Sequence, residues 1–284
     1  MWIADQWKDY EVIDCSKGEK LERWGEYILV RPDPQVIWDT PKNDRGWKHK
    51  NGHYHRSKKG GGEWEFISLP EQWQIHYKDL TFNLKPFSFK HTGLFPEQAT
   101  NWDWFSEKIR NAGRPIKVLN LFAYTGALHW PLQPPVQRHP CRRIQRHGKL
   151  GQGKCGFFRP VRQADPVAGG YCVKFVEREI RRGNHYDAII MDPPPTEEDP
   201  KARSGRLRMP STLIKLCTQI LSDQPLFFLV NSYTTGLAPA VLTYMLATEL
   251  KKFDGNVDSQ EIGLPVTRSK LVLPCGASGR WESR

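Results

Sequence analysis

The sequence predicts an α/β protein, a mostly parallel sheet with helices between its strands, preceded by a smaller β-rich region over residues 1–90. Two observations predict it. Three short apolar runs, Ile116–Phe122, Tyr186–Met191 and Pro225–Val230, each end in a polar cluster and are separated by helical stretches. Apolar runs of this length bounded by turn residues read as buried strands, and strands alternating with helices make a parallel sheet. Before residue 90, apolar and polar residues instead alternate singly, the period of half-buried strands.

Along the chain, residues 10–38 read as short strands, with Tyr27–Val30 apolar and Arg31-Pro32-Asp33-Pro34 closing them in a turn. Residues 39–63 are polar and basic and end in Lys58-Lys59-Gly60-Gly61-Gly62. They read as a long exposed loop, a solvated hairpin rather than a phosphate cradle, because no helix start follows the glycines. Strand alternation returns at Gln74–Tyr77 and Leu80–Leu84. Trp102–Ala112 reads as a helix, capped at or near Asn101 and stopped by Gly113 and Pro115. The strand Ile116–Phe122 then runs into the turn Ala123-Tyr124-Thr125-Gly126. Further helices are expected at Val173–Arg182, Leu213–Leu221 and Ala238–Lys252, and the last strands within 257–273. Ligands of such sheets bind beyond the carboxyl ends of the strands, so the polar clusters after Phe122, Met191 and Val230 mark the expected site.

The chain carries 42 Lys and Arg against 31 Asp and Glu, a net charge of +11. A basic balance of this size points to a polyanion such as nucleic acid. Most of the excess, however, sits in residues 129–170, where eight basic residues face one acid, Asp165. No apolar run approaches the ~20 residues of a membrane span. The start, MWIADQWKDYEV, lacks a basic-then-apolar leader pattern, so a cytoplasmic protein without a membrane partner is expected. None of the six cysteines forms a CxxC pair, so reduced thiols are expected, with no zinc or disulfide framework and no metal.

Residues 129–170 break the α/β pattern. They hold six prolines and no sustained period, where the sheet needs a helix, a strand and another helix. Codons allowed for His129–Val136, grouped one base out of register, read as a small-residue helix. From His139 the other shifted frame reads as a strand ending in Val-Asp-Ala-Ser, then a helix and a second strand. Residues 195–212 behave the same way. A few single-base errors would account for both windows. A disordered basic insert is the plainer alternative.

Three strings carry a resemblance. Lys117–Gly126 resembles the first nucleotide-binding motif of the bacterial 23S ribosomal RNA methyltransferase family that includes the large-subunit cytosine-C5 enzymes. His91–Gln98 resembles the segment just upstream in that family, which folds over the cofactor. Asp187–Pro194 resembles its fourth motif, an apolar strand ending in Asp-Pro-Pro. The likeness covers roughly residues 70–284 outside the two windows.

The resemblance implies a Rossmann-like methyltransferase sheet over residues 91–284, with S-adenosylmethionine as cofactor. It implies cofactor contacts from Phe95, Gln98, Asn120, Phe122, Tyr124, Thr125 and Gly126, and a catalytic segment Asp192, Pro193 and Pro194. In the family an acid at the end of the second strand takes the ribose hydroxyls. The chain as written has none there, whereas the shifted reading supplies one, so the chain as written should bind the cofactor poorly. The cytosine-C5 enzymes attack the base with a cysteine after a later strand. Here that place reads Val230-Asn231-Ser232-Tyr233-Thr234-Thr235, which favours transfer to nitrogen or oxygen. The implied substrate is RNA, ribosomal in the family. A small molecule or protein substrate, and a non-catalytic RNA-binding module with a decayed cofactor site, are the alternatives. The tryptophans at 38, 47, 64, 73, 102 and 104 could serve as a nucleic-acid face or as packed core, of which core is the commoner use. The oligomeric state is left open.

Overall fold

The computed structural model describes residues 1–57, 61–87, 90–122, 168–193, 211–234 and 237–284. Tyr124, Thr125, Gly126 and Pro194 lie outside the described residues, as does nearly all of the two windows read as shifted. The chain divides into two units, Met1–Trp102 with Gln260–Ala277, and Asp103–Ser259 with Ser278–Arg284.

In the first unit the alternating segments form strands as expected. β1 (Trp2–Ile3) is followed by β2 (Tyr10–Ser16), β3 (Glu19–Trp24), β4 (Tyr27–Pro32), β5 (Gly52–Arg56) and β6 (Gly62–Phe66). The last five make one sheet in the order β2-β3-β4-β5-β6, antiparallel except for the parallel pair β4–β5. The basic stretch 39–63 thus contains β5 and the start of β6, which pair as the hairpin read from the sequence. A second hairpin pairs β7 (Trp73–Tyr77) with β8 (Leu80–Leu84). In β7, buried Trp73, Ile75 and Tyr77 alternate with exposed Gln74 and His76, the period-2 pattern read from the sequence.

A charged network lies inside this unit. Glu22 accepts from both arms of the Arg31 guanidinium at 2.6 and 2.8 Å and from the Tyr10 hydroxyl at 2.7 Å. Lys20 adds an ion pair to Glu22 at 3.4 Å and another to Asp33 at 3.3 Å. Burial by itself would raise the Glu22 carboxyl. The adjacent Arg31 and Lys20 outweigh it and hold the group down to about 2. The tryptophans pack rather than line a surface: Trp47, Trp73 and Trp102 are buried, and Trp38 and Trp64 are partly so.

The second unit holds the parallel strands β9 (Val118–Leu121), β10 (Ala188–Met191) and β11 (Phe227–Ser232). With β12 (Gly255–Pro265) and β13 (Val272–Ser283) the order is β12-β13-β11-β10-β9. All residues of β9, β10 and β11 are buried, in keeping with their mostly apolar sequences, and the polar Asn120, Asn231 and Ser232 are buried with them. In the first unit, the later part of β12 pairs parallel with β1, Trp2 opposite Ile262 and Ile3 opposite Gly263.

The helices are α1 (Ala99–Asn111), α2 (Ala168–Arg181) and α3 (Pro239–Glu249), with a further helical segment over 211–217. α1 starts three residues before the expected Trp102. A 3-10 turn at Pro96–Gln98 leads into it, so Asn101 is not its cap but a buried helical residue whose Nδ2 donates to Gln98 Oε1 at 2.8 Å. α2 ends at Gly183, whose φ of +64° is the left-handed turn that closes a helix. Glu179 fastens that end by accepting from Tyr186, Asn184 and Arg182 at 2.6–2.9 Å. None of the described helices is long and apolar enough to cross a membrane.

Candidate active site

The register of the parallel strands assembles the site in the second unit. Leu121 of β9 stands opposite Met191 of β10, which stands opposite Val230 of β11. The next residues of the three strands, Phe122, Asp192 and Asn231, therefore emerge side by side at the carboxyl edge. The Asp192 backbone N–H donates to Leu121 O at 3.4 Å and keeps the first step beyond the strands in line. Apolar strands thus deliver polar groups to one place. Asn120 lies within β9 opposite Ile190, and Asn120, Asp192, Asn231 and Ser232 are all buried.

Phe122 departs from ordinary backbone geometry. Its φ is +63°, left-handed for a residue with a bulky side chain, at a cost on the order of 1 kcal/mol. The turn redirects the chain as it leaves β9, while the ring stays buried.

Of the sequence-predicted residues, the structure brings together Asn120, Phe122, Asp192 and Pro193 on these adjoining strand ends. Phe95 and Gln98 belong to the first unit. There Phe95 precedes the 3-10 turn and its ring lies 5.1 Å from that of His91. Gln98 is buried, and its backbone N–H donates to Phe95 O at 3.1 Å.

The cysteines offer no activated nucleophile among the described residues. Burial raises the Cys172 thiol to about 11, only partly opposed by a hydrogen bond from the Phe122 backbone. Burial likewise raises Cys15, Cys217 and Cys275.

Two supports were not legible in the sequence. Ser278 Oγ of β13 donates to Asn231 Oδ1 at 2.7 Å, both side chains fully buried, which ties the end of β11 to its neighbour. At the opposite ends of the strands, Asp187 accepts from the Lys117 backbone at 2.8 Å and from Ser222 Oγ at 2.9 Å, and pairs with Arg114 at 2.9 Å. The signal for Asp187 was its place before an apolar strand. Nothing local pointed to Ser278, which is 47 positions from its partner.

No family model matches the chain, and no curated protein matches it in sequence. In structure it is similar to the SAM-dependent methyltransferase from Agrobacterium tumefaciens, with 25% identity and a TM-score of 0.78 over 100% of this chain and 93% of that one. It is also similar to a protein from Streptococcus mutans described as a SAM-dependent methyltransferase, at 14% identity and a TM-score of 0.64, covering 98% and 76% of the two chains. A methyltransferase complexed with SAH matches at 14% identity and a TM-score of 0.60, over 97% and 75%. With β9, β10 and β11 parallel neighbours in one sheet and a β-rich N-terminal region before them, the chain has the Rossmann-like fold of the SAM-dependent methyltransferases.

Proposed function

We propose that the protein is an S-adenosylmethionine-dependent methyltransferase acting on a nitrogen or oxygen atom of RNA, ribosomal RNA in the first instance. The observation that carries the methyltransferase reading is the strand register that sets Phe122, Asp192 and Asn231 side by side at one carboxyl edge. The likeness to the Agrobacterium enzyme over the whole chain supports it, as does the SAH held by one of the similar structures.

The residues present fit such a cofactor. The left-handed turn at Phe122 redirects the backbone at the strand end, and buried polar groups gather beside it. Asn120, Phe122, Tyr124, Thr125 and Gly126 would hold it. Bound there, S-adenosylmethionine supplies an electrophilic methyl group. The part of the chain is alignment. Asp192 accepts a hydrogen bond from the N–H or O–H of the incoming nucleophile and directs its lone pair, while Pro193 and Pro194 stiffen the segment that presents it. No protein thiol is required, which agrees with the raised cysteines.

Residues 91–284 are the proposed catalytic domain and 1–90 its accessory region. Most of the excess positive charge that an RNA substrate would meet lies in 129–170. Calorimetric titration with S-adenosylhomocysteine tests the cofactor half. Saturable micromolar binding is expected, and a folded protein with a verified gene sequence that binds none would defeat it. Transfer of labelled methyl to ribosomal RNA, set against a small-molecule and protein extract, tests the substrate half.

A further inference from the structure

We propose that the β5–β6 hairpin carries a binding site for a divalent transition-metal ion of the zinc type, made by His53, His55 and Glu65. The cysteine spacing predicts no zinc framework. The ligands here are imidazoles and a carboxylate, brought together by strand geometry instead.

His53 and His55 are two apart on β5 and so project from the same face. Glu65 of β6 stands directly opposite His53 in the antiparallel register. One ligand atom from each of the three lies within 4.8 Å of the others. His55 Nε2 is 2.9 Å from Glu65 Oε2, and His53 Nδ1 is 4.0 Å from the same oxygen. An ion bonded at ~2.0–2.1 Å to tetrahedral ligands holds them roughly 3.4 Å apart, midway between these separations.

A second observation comes from β3. Glu19 sits 2.7 Å from His53 Nε2, and Lys42 in turn holds Glu19 at 2.5 Å. With Nε2–H donated to this carboxylate, the lone pair of His53 is fixed on Nδ1, the nitrogen that faces Glu65. A carboxylate behind a ligating imidazole is the usual arrangement that orients the ring and raises its basicity toward a metal. His53 is part-buried and oriented, while His55 and Glu65 are about half exposed and accessible to an incoming ion. Three protein ligands leave a fourth position to solvent or to a group of a bound partner.

The test uses tag-free full-length protein titrated with Zn²⁺ in competition with a chromogenic chelator, and with Co²⁺ monitored by its visible absorption. One ion per chain at micromolar affinity is expected, with a tetrahedral Co²⁺ spectrum and an upward shift of Tm in Zn²⁺. His55→Ala and Glu65→Gln, both at exposed positions, should each weaken binding by at least about tenfold and abolish the Tm shift. His76→Ala, an exposed imidazole on the other hairpin, should change neither. Absence of saturable binding, or binding unaffected by His55→Ala, overturns the proposal and leaves the cluster as ion pairs of the hairpin. The measurement is independent of cofactor binding and of methyl transfer.

Discussion

Asp192 and Pro193 follow an apolar strand, and at this scale the proposed chemistry turns on one carboxylate. Asp192→Asn keeps size and acceptor oxygen but loses the charge. Methyl transfer should fall roughly 10²-fold or more while S-adenosylhomocysteine affinity changes little, read by single-turnover transfer beside calorimetry. Equal loss of both would show that Asp192 serves the cofactor rather than the nucleophile. His91 gives a pH prediction. Burial, reinforced by Arg31 and Lys90, lowers its imidazole to about 3, so it is neutral in the fold, whereas the unfolded chain takes up a proton near pH 6.5. The unfolded state then binds more protons between those values. Stability is complete above about pH 6.5 and is lost as pH falls toward 3. Denaturant unfolding at pH 6.5 and pH 5 should differ by at most about 2 kcal/mol from this group, and His91→Gln should flatten the difference. An unchanged slope in the variant would remove His91 as the cause.

At the scale of elements, the β3–β4 ladder is held by Glu22 between Arg31, Lys20 and Tyr10. Glu22→Gln leaves the buried Arg31 guanidinium without its ion-pair partner, while Lys20 keeps Asp33, and should cost about 3–5 kcal/mol, seen as a lower urea midpoint. A loss below about 1 kcal/mol would mean that water or Asp33 replaces the carboxylate. The element scale also shows what sequence patterns could and could not deliver. β9, β10 and β11 were legible because a strand buried on both faces is apolar over most of its length. β7 and β8 were legible because one face of each is wet. The β5–β6 hairpin was legible only as a solvated hairpin without strand bounds, since His53, His55, Glu63 and Glu65 are polar at every second position and Tyr54 and Trp64 supply only a single apolar pair. The early start of α1 was missed because a 3-10 turn begun by Pro96 carries no capping side chain. Phe122 was named as a cofactor residue, but its left-handed backbone has no sequence signature, and neither does the Asn231–Ser278 bond between distant strands.

For the molecule as a whole, β9 is the outermost strand of its sheet among the described residues. The shifted readings of 129–170 and 195–212 would supply the helices, the strands and the ribose-binding acid that the family sheet carries. A protein expressed from a gene restored in both windows should bind S-adenosylhomocysteine at least about tenfold more tightly than the chain as written, a gain of some 1.4 kcal/mol. Equal affinities, with resequencing that returns the written residues in frame, would show that the windows are native and that the site works without that acid.

The pairing of Trp2 and Ile3 with Ile262 and Gly263 carries a consequence for biosynthesis. Strand β1 leaves the ribosome well before its partner in β12, which lies about 260 residues further along the chain. Until then the sheet β2–β6 can form from neighbours, but Met1–Ile3 has no hydrogen-bonding edge to join. Contacts of such sequence separation are slow to close and leave apolar surface open in the meantime. A nascent chain stalled before residue 260 would therefore expose an unmatched β1 to proteases, and chaperone demand should fall once residues 262 and 263 have emerged.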